Sequence, residues 1–288
     1  MARRLAPVLL QLAAMVGVGA LLYPYAADWF STLGHDAQIS GYVRKVEAMP
    51  DEERRGLLAV ARDYNDRLPP GMLRDPYRAD SADDSLRSDA AYEEYLRVLP
   101  ASDDGAIGLL TYPRLGISLP ILPGNDDATL ARGVGHLYGS SLPVGGPSTH
   151  SLLTSHSGLI HASLFTALPR AEVGDAFEVS VLGETLHYRV DGVETVLPEA
   201  TETLRIVDGE DRVTLFTCTP IGVNSHRLLV HAVRVPGPAP SPSQAIPGDG
   251  RAAGFPWWAL AFLAGSGAFA FVIFARPRGR RTLQEARS

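Results

Sequence analysis

Val213-Thr214-Leu215-Phe216-Thr217-Cys218 ends at the only cysteine of the chain, and Arg227-Leu228-Leu229-Val230-His231-Ala232-Val233 follows a few residues later. Both runs are rich in β-branched and aliphatic residues, and both read as strands. If they pair as a hairpin closed by 219–226, Cys218 lies opposite Arg227. Opposed residues of an antiparallel pair share a face, with Cβ atoms roughly 5 Å apart. A guanidinium at that range stabilises a thiolate over a thiol and can hold a developing oxyanion. Taken alone, Arg227 reads more readily as an ordinary exposed residue of an edge strand.

Working outward, the chain from Gly105 onward consists of short apolar or alternating runs separated by Gly and Pro. The runs cover 107–112, 117–122, 151–155, 176–182, 185–190, 213–218 and 227–235. Such spacing predicts a closed or sandwiched all-β domain. The run Leu152-Leu153-Thr154-Ser155-His156-Ser157-Gly158 ends a strand at a histidine, just before a flexible Ser-Gly pair. A neutral imidazole near Cys218 could take its proton, and an imidazolium could protonate a leaving amine. His187 and His231 sit inside strand patterns, whereas His150 and His226 remain alternatives on residue pattern alone.

The N-terminal part is helical in pattern. Ile39, Tyr42, Val43 and Val46 form an i, i+3, i+4, i+7 stripe, and Pro50-Asp51-Glu52-Glu53 opens a second helix with Asp51 as its expected N-cap. Pro69-Pro70-Gly71 ends that helix. Residues 72–91 read as a loop carrying Asp75-Pro76-Tyr77, and Tyr92, Tyr95 and Leu96 suggest a short helix before Pro100.

Two uncharged apolar stretches, 5–25 and 255–275, have the roughly 20 residues needed to cross a bilayer. Arg3 and Arg4 precede the first; Arg276, Arg278, Arg280 and Arg281 follow the second. The positive-inside rule then puts both termini in the cytoplasm and residues 28–250 outside. A cleaved signal peptide is the competing reading of the first stretch, but Pro24-Tyr25-Ala26-Ala27 is a poor cleavage site. The section 28–250 holds 18 Lys+Arg against 31 Asp+Glu, a net charge of −13 that speaks against nucleic-acid binding. With one cysteine, no internal disulfide can form, and no metal-ligand spacing or phosphate-binding glycine motif stands out. No cofactor is implied.

At these residues the chain resembles the sortases, and more narrowly the class C, pilin-polymerising sortases. Thr214-Leu215-Phe216-Thr217-Cys218-Thr219-Pro220 is similar to the family's cysteine signature. Gly222 to Val230 resembles the segment that brings its arginine, and Ser141-Leu142-Pro143-Val144-Gly145-Gly146 with Thr149-His150-Ser151 resembles the approach to its histidine. The resemblance selects His156 and implies Cys218, His156 and Arg227 as catalytic residues. Asp75-Pro76-Tyr77 is similar to the family's lid, with Asp75 then expected beside Arg227 and Tyr77 over Cys218. Tyrosine stands where Phe or Trp is usual, and Ser157 where many members carry Arg.

The implied fold is mainly β: an eight-stranded sortase barrel with N-terminal helices and a lid loop, flanked by two transmembrane helices. The expected division is an anchor at 1–27, a helical region with the lid at 28–104, the catalytic barrel at 105–236, a linker at 237–254, a transmembrane helix at 255–275 and a basic tail at 276–288. The implied reaction cleaves an LPxTG-like signal between Thr and Gly through a thioacyl intermediate and passes it to a pilin lysine. A housekeeping sortase using a cell-wall amine is the nearest alternative, and the lid is what separates the two. A non-enzymatic surface protein that is itself sorted needs Leu-Pro-x-Thr-Gly upstream of its apolar tail, and residues 236–254 contain no leucine. An unrelated cysteine peptidase would orient its histidine with Asn or Asp, not place Arg across from the cysteine.

Overall fold

The computed structural model describes residues 2–68, 90–99, 102–200, 202–237 and 253–275. Asp75-Pro76-Tyr77, the basic tail and most of the 237–254 linker lie outside the described residues.

Eight strands form a closed barrel: β1 (Gly108–Tyr112), β2 (Ile117–Pro123), β3 (Val134–His136), β4 (Thr149–Thr154), β5 (Ala176–Val181), β6 (Glu184–Val196), β7 (Asp211–Thr219) and β8 (His226–Val235). Their spatial order is β1-β2-β3-β4-β7-β8-β6-β5, and β5 pairs back onto β1. The β2–β3 and β4–β7 pairs are parallel and the others antiparallel. Closure leaves no open edge for another chain to extend.

The barrel interior is filled from alternate positions: Leu153, Val213, Leu215, Leu228, Val230 and Ala232 belong to the main core. Tyr112, Phe177 and Tyr188 stack through it with ring centroids 5.6 and 5.7 Å apart. The opposite face of β4, β7 and β8 carries a second cluster of Leu152, Phe216 and Leu229, covered by Leu137 and by Leu204 from the β6–β7 connection.

Two strand features depart from the pattern reading. The three-residue β3 has no apolar run to announce it, because Gly135 within it and Gly133 just before it serve close approach. A Cβ on Gly135 would stand 2.5 Å from the Gly124 carbonyl oxygen, and one on Gly133 would stand 2.6 Å from that of Pro120. In β6, Asp191-Gly192 reads like a turn, yet the strand continues to Val196. A bulge between Val190 and Gly192 resets the register, so Val193–Val196 still pair with Arg227–Val230.

The N-terminal region is one helix where two segments were expected. α1 (Ala2–Ala48) runs unbroken for 47 residues, about 70 Å at 1.5 Å per residue. Its second half packs on the barrel with Ile39, Tyr42 and Val46 buried. The Tyr42 hydroxyl donates to the Ile107 carbonyl (2.9 Å) and accepts from the Leu182 amide (2.8 Å), fixing α1 to the ends of β1 and β5. In α2 (Asp51–Asp66), Pro50 occupies the N-cap with extended backbone, and Asp51 is the first helical residue rather than the cap. Its carboxylate still sits at the positive end of the helix, with Glu52 and Glu53.

α2 and α3 (Ala90–Val98) flank the 69–89 segment, and each is fastened to the barrel by a buried polar side chain. The Asn65 amide pairs with both main-chain groups of Leu142, at 3.0 and 2.7 Å. The Tyr95 hydroxyl meets His136 Nδ1 (3.0 Å) and accepts from the Gly124 amide (3.0 Å). α4 (Asp127–Leu130) is a single turn capped by the Asp126 side chain, which accepts from the Thr129 amide at 2.9 Å.

α5 (Trp257–Phe274) and the first part of α1 are both long and apolar enough to cross a membrane. They pack antiparallel. Gln11 Nε2 donates to the Ser266 carbonyl (3.0 Å), and at the other end Trp29 Nε1 donates to that of Gly254 (3.1 Å). Between these contacts Gly19 and Gly265 face Phe262 and Val18. Small residues let helix backbones approach closely where the surroundings give no hydrophobic drive for association.

Candidate active site

The hairpin expected at 213–235 is present, and Cys218 is the cross-strand partner of Arg227. Phe216 and Leu229 form the next pair on the same face, which places the thiol and the guanidinium on the outer side of the barrel, above the second apolar cluster.

His156 reaches the same row from β4. Thr154 pairs with Phe216 in the parallel β4–β7 ladder, so two further residues along each strand bring His156 level with Cys218. Hydrogen bonds continue the ladder past the strand end. Ser155 N–H donates to Phe216 O (3.4 Å), Thr217 Oγ1 to Ser155 O (2.7 Å), and Ser157 Oγ to Cys218 O (2.8 Å). Gly158 then turns the chain with φ +74°, and the space a Cβ would need is taken by Ile221, whose Cγ2 would be 2.2 Å away. The loop after the histidine and the loop between β7 and β8 are therefore in contact.

Each group sits in a distinct environment. The Arg227 residue is only 7% exposed, and its Nη1 donates to Asn224 O and His226 O, both at 3.1 Å. Asn224 adopts φ 57°, and its amide and that of Val223 donate to Pro220 O, so the loop that aims the guanidinium is itself hydrogen-bonded. The His156 side chain is 24% exposed, with Nε2 4.0 Å from Asp127 Oδ1 at the start of α4. Burial pulls its pKa below the ordinary imidazole range; the Asp127 carboxylate opposes that and His161 adds to it. The net shift favours the neutral form of the ring.

The rival histidines are accounted for elsewhere. His150 is fully buried, with Nδ1 2.9 Å from Arg205 O and Nε2 2.7 Å from Thr214 Oγ1, and burial pushes its pKa down to about 4. Thr214 Oγ1 continues to His231 Nδ1 (2.8 Å), and His231 Nε2 to Glu194 (3.0 Å), a buried chain that ties the β6–β7 connection to the barrel. His226 meets Ser225 Oγ at 2.8 Å, and His187 meets Glu178 at 3.2 Å. Thr217 and Asp127 are contacts that residue pattern does not reveal, because they act across strands or from a segment 29 residues away, and Ser157, noted there only as a departure from Arg, bonds the Cys218 carbonyl.

A thiol, an imidazole and a guanidinium converging on the rim of a closed β-barrel have the elements of a cysteine acyl-transfer centre. A sortase domain matches residues 110–235. Sortase C-1 from Actinomyces oris is 46% identical, with 65% of this chain and 99% of that one covered at a TM-score of 0.61. Sortase C from Streptococcus pneumoniae is 35% identical over 70% and 98% (TM-score 0.62), and sortase C1 from Streptococcus agalactiae is 40% identical over 70% and 95% (TM-score 0.62). No curated protein matches by sequence. The chain belongs to the sortase family of cysteine transpeptidases, in its class C.

Proposed function

We propose that Cys218, His156 and Arg227 cleave an LPxTG-like sorting signal between Thr and Gly and transfer the acyl group to a lysine amine of a pilin. The direct opposition of Cys218 and Arg227 across the hairpin carries this reading. The Cys218 sulfur attacks the threonine carbonyl carbon while neutral His156 takes the thiol proton. Negative charge developing on the carbonyl oxygen is met by the largely desolvated guanidinium, where its effect is greater than in water. The imidazolium then protonates the glycine nitrogen as the C–N bond breaks, leaving a thioester on Cys218. In the second half, the neutral lysine amine attacks that thioester and gives its proton to His156. The departing sulfur recovers a proton from the same ring.

The pilin acceptor is supported by relatives. The S. pneumoniae structure is described as giving insight into pilin substrate specificity, and a group B Streptococcus sortase C, 39% identical to this chain, is described as pilus-related. The Asp75-Pro76-Tyr77 element enters the proposal on its sequence resemblance to a lid.

The protein is anchored by the two apolar helices with its barrel outside the cell and both termini in the cytoplasm. Antiparallel packing of α1 on α5 supports both termini on one side, and Arg3, Arg4 and the arginines after 275 support the cytoplasmic side. The test is intact mass of the full chain in detergent after incubation with an LPxTG peptide. An adduct equal to the peptide truncated after threonine, lost in Cys218→Ala, is expected; its release by a pilin lysine in preference to a cell-wall amine identifies the acceptor. No adduct with any peptide refutes the reaction.

A further inference from the structure

The middle of α1, at the end of its apolar stretch, the start of α5 with the residues just before it, and the loop that follows His156 enclose a cleft of about 610 Å³. Tyr25, Trp29, Phe255 and Trp258 line it from the helices, and Leu159 and Ile160 from the loop. The Ser163 amide donates to Asp28 Oδ1 at 2.6 Å, which pins the loop to α1 just beyond the apolar stretch. Trp258 packs edge-on to Trp29 (6.1 Å) and against Phe30 (5.8 Å).

The rim points to an occupant: it is apolar and outward-facing, with Ile160 67% exposed beside exposed Tyr25, Phe255 and Trp257. A contiguous apolar patch of this kind marks an interaction surface. Aromatic residues at the ends of membrane-crossing helices sit at headgroup level, with the ring among acyl chains and the N–H toward ester and phosphate oxygens. Among the described residues no basic side chain lines the cleft.

We propose that the 158–163 loop is a membrane-contacting surface: the upper part of an acyl chain of an outer-leaflet phospholipid fills the cleft, and Ile160 lies in the headgroup–acyl boundary. The inference rests on the reading of α1 and α5 as membrane spans. It means that the loop two residues beyond His156 is held at the bilayer surface.

The test uses the full chain with Cys218→Ala, so that one introduced cysteine carries an NBD fluorophore. Ile160→Cys is the test position, and its exposure makes the substitution tolerable. Val16→Cys, on the 72%-exposed face of α1, and Val193→Cys, on β6, are controls. Each variant is reconstituted into dioleoylphosphatidylcholine vesicles containing lipid spin-labelled near the top of the acyl chain, to report on position 160, or near its terminal methyl, to report on position 16. The expected result is quenching and a blue-shifted emission at 16 and 160, with 193 unaffected. Quenching at 16 with position 160 behaving like 193 overturns the inference and leaves the spans standing. Absence of quenching at 16 overturns the span reading and the inference with it.

Discussion

The Ser157 hydroxyl donates to the main-chain carbonyl of Cys218 at 2.8 Å, although Ser157 lies beyond the end of β4, Cys218 lies in β7, and the two are 61 positions apart. Thr217 makes the reverse connection, its hydroxyl bonding Ser155 O. These bonds hold the spacing between Cys218 and His156 without using either side chain.

Ser157→Ala should therefore slow the chemical step without weakening substrate capture. Loss of one such bond is worth about 1 kcal/mol, roughly fivefold in kcat. Steady-state kinetics should show kcat falling with KM unchanged, and Ser157→Thr, which keeps the hydroxyl, should recover most of the rate. A change confined to KM would assign Ser157 to substrate binding instead.

Arg227→Ala should cost roughly 10²–10³ in kcat, the usual loss when one oxyanion donor is removed. Arg227→Lys should recover only part, because a single ammonium cannot reach the substrate oxyanion and the loop carbonyls of Asn224 and His226 together. The thioester adduct measured by mass after a single turnover reports the step directly.

Asp127→Asn should move the acid limb of the kcat/KM profile to lower pH. The carboxylate raises the pKa of His156, so its removal leaves burial less opposed and the ring neutral further into the acid range. Asp127 is fully exposed at 4.0 Å from the ring, so solvent screening keeps the displacement small and 0.5 M salt should mimic it in the parent enzyme. A limb moving upward would reverse the assigned sign.

Gly158→Ala should destabilise the site twice over, through the positive φ and through collision with Ile221. The backbone cost alone is about 1–3 kcal/mol. Adding Ile221→Ala should restore the part due to collision and none of the part due to φ, which a double-mutant cycle in denaturant separates.

Asn65→Ala should lower global stability by about 1–3 kcal/mol, because both main-chain groups of Leu142 lose their partner in a buried site. Urea unfolding of the detergent-solubilised chain should show a lower midpoint with the slope unchanged.

The hairpin bearing Cys218 and Arg227 was legible because its chemistry and its period coincide: an alternating strand ends at the sole cysteine and another begins at an arginine. His156 was not separable from His150 by pattern, since both lie in β4 or at its end. What separates them is that His150 is buried beneath the β6–β7 connection, a tertiary fact. β3 escaped because Val-Gly-His carries no period, and Gly133 and Gly135 are explained only by backbones arriving from elsewhere. The unbroken course of α1 was hidden by the polar stretch around Ser31 to Ser40, which lacks the apolar stripe of a free-standing helix. Packing at both ends, on α5 and on the barrel, holds the helix through it.

A flexible tether would let the barrel sweep a volume above the surface. A continuous 47-residue helix, pinned to the barrel through Tyr42, and to the loop after His156 through Asp28, does not. With α1 crossing a membrane as proposed, it leaves the enzyme free to spin and to drift sideways but fixes its altitude. Encounter with a membrane-borne partner then becomes a search in two dimensions. A partner competes by the height at which it carries its scissile bond as much as by the residues around it.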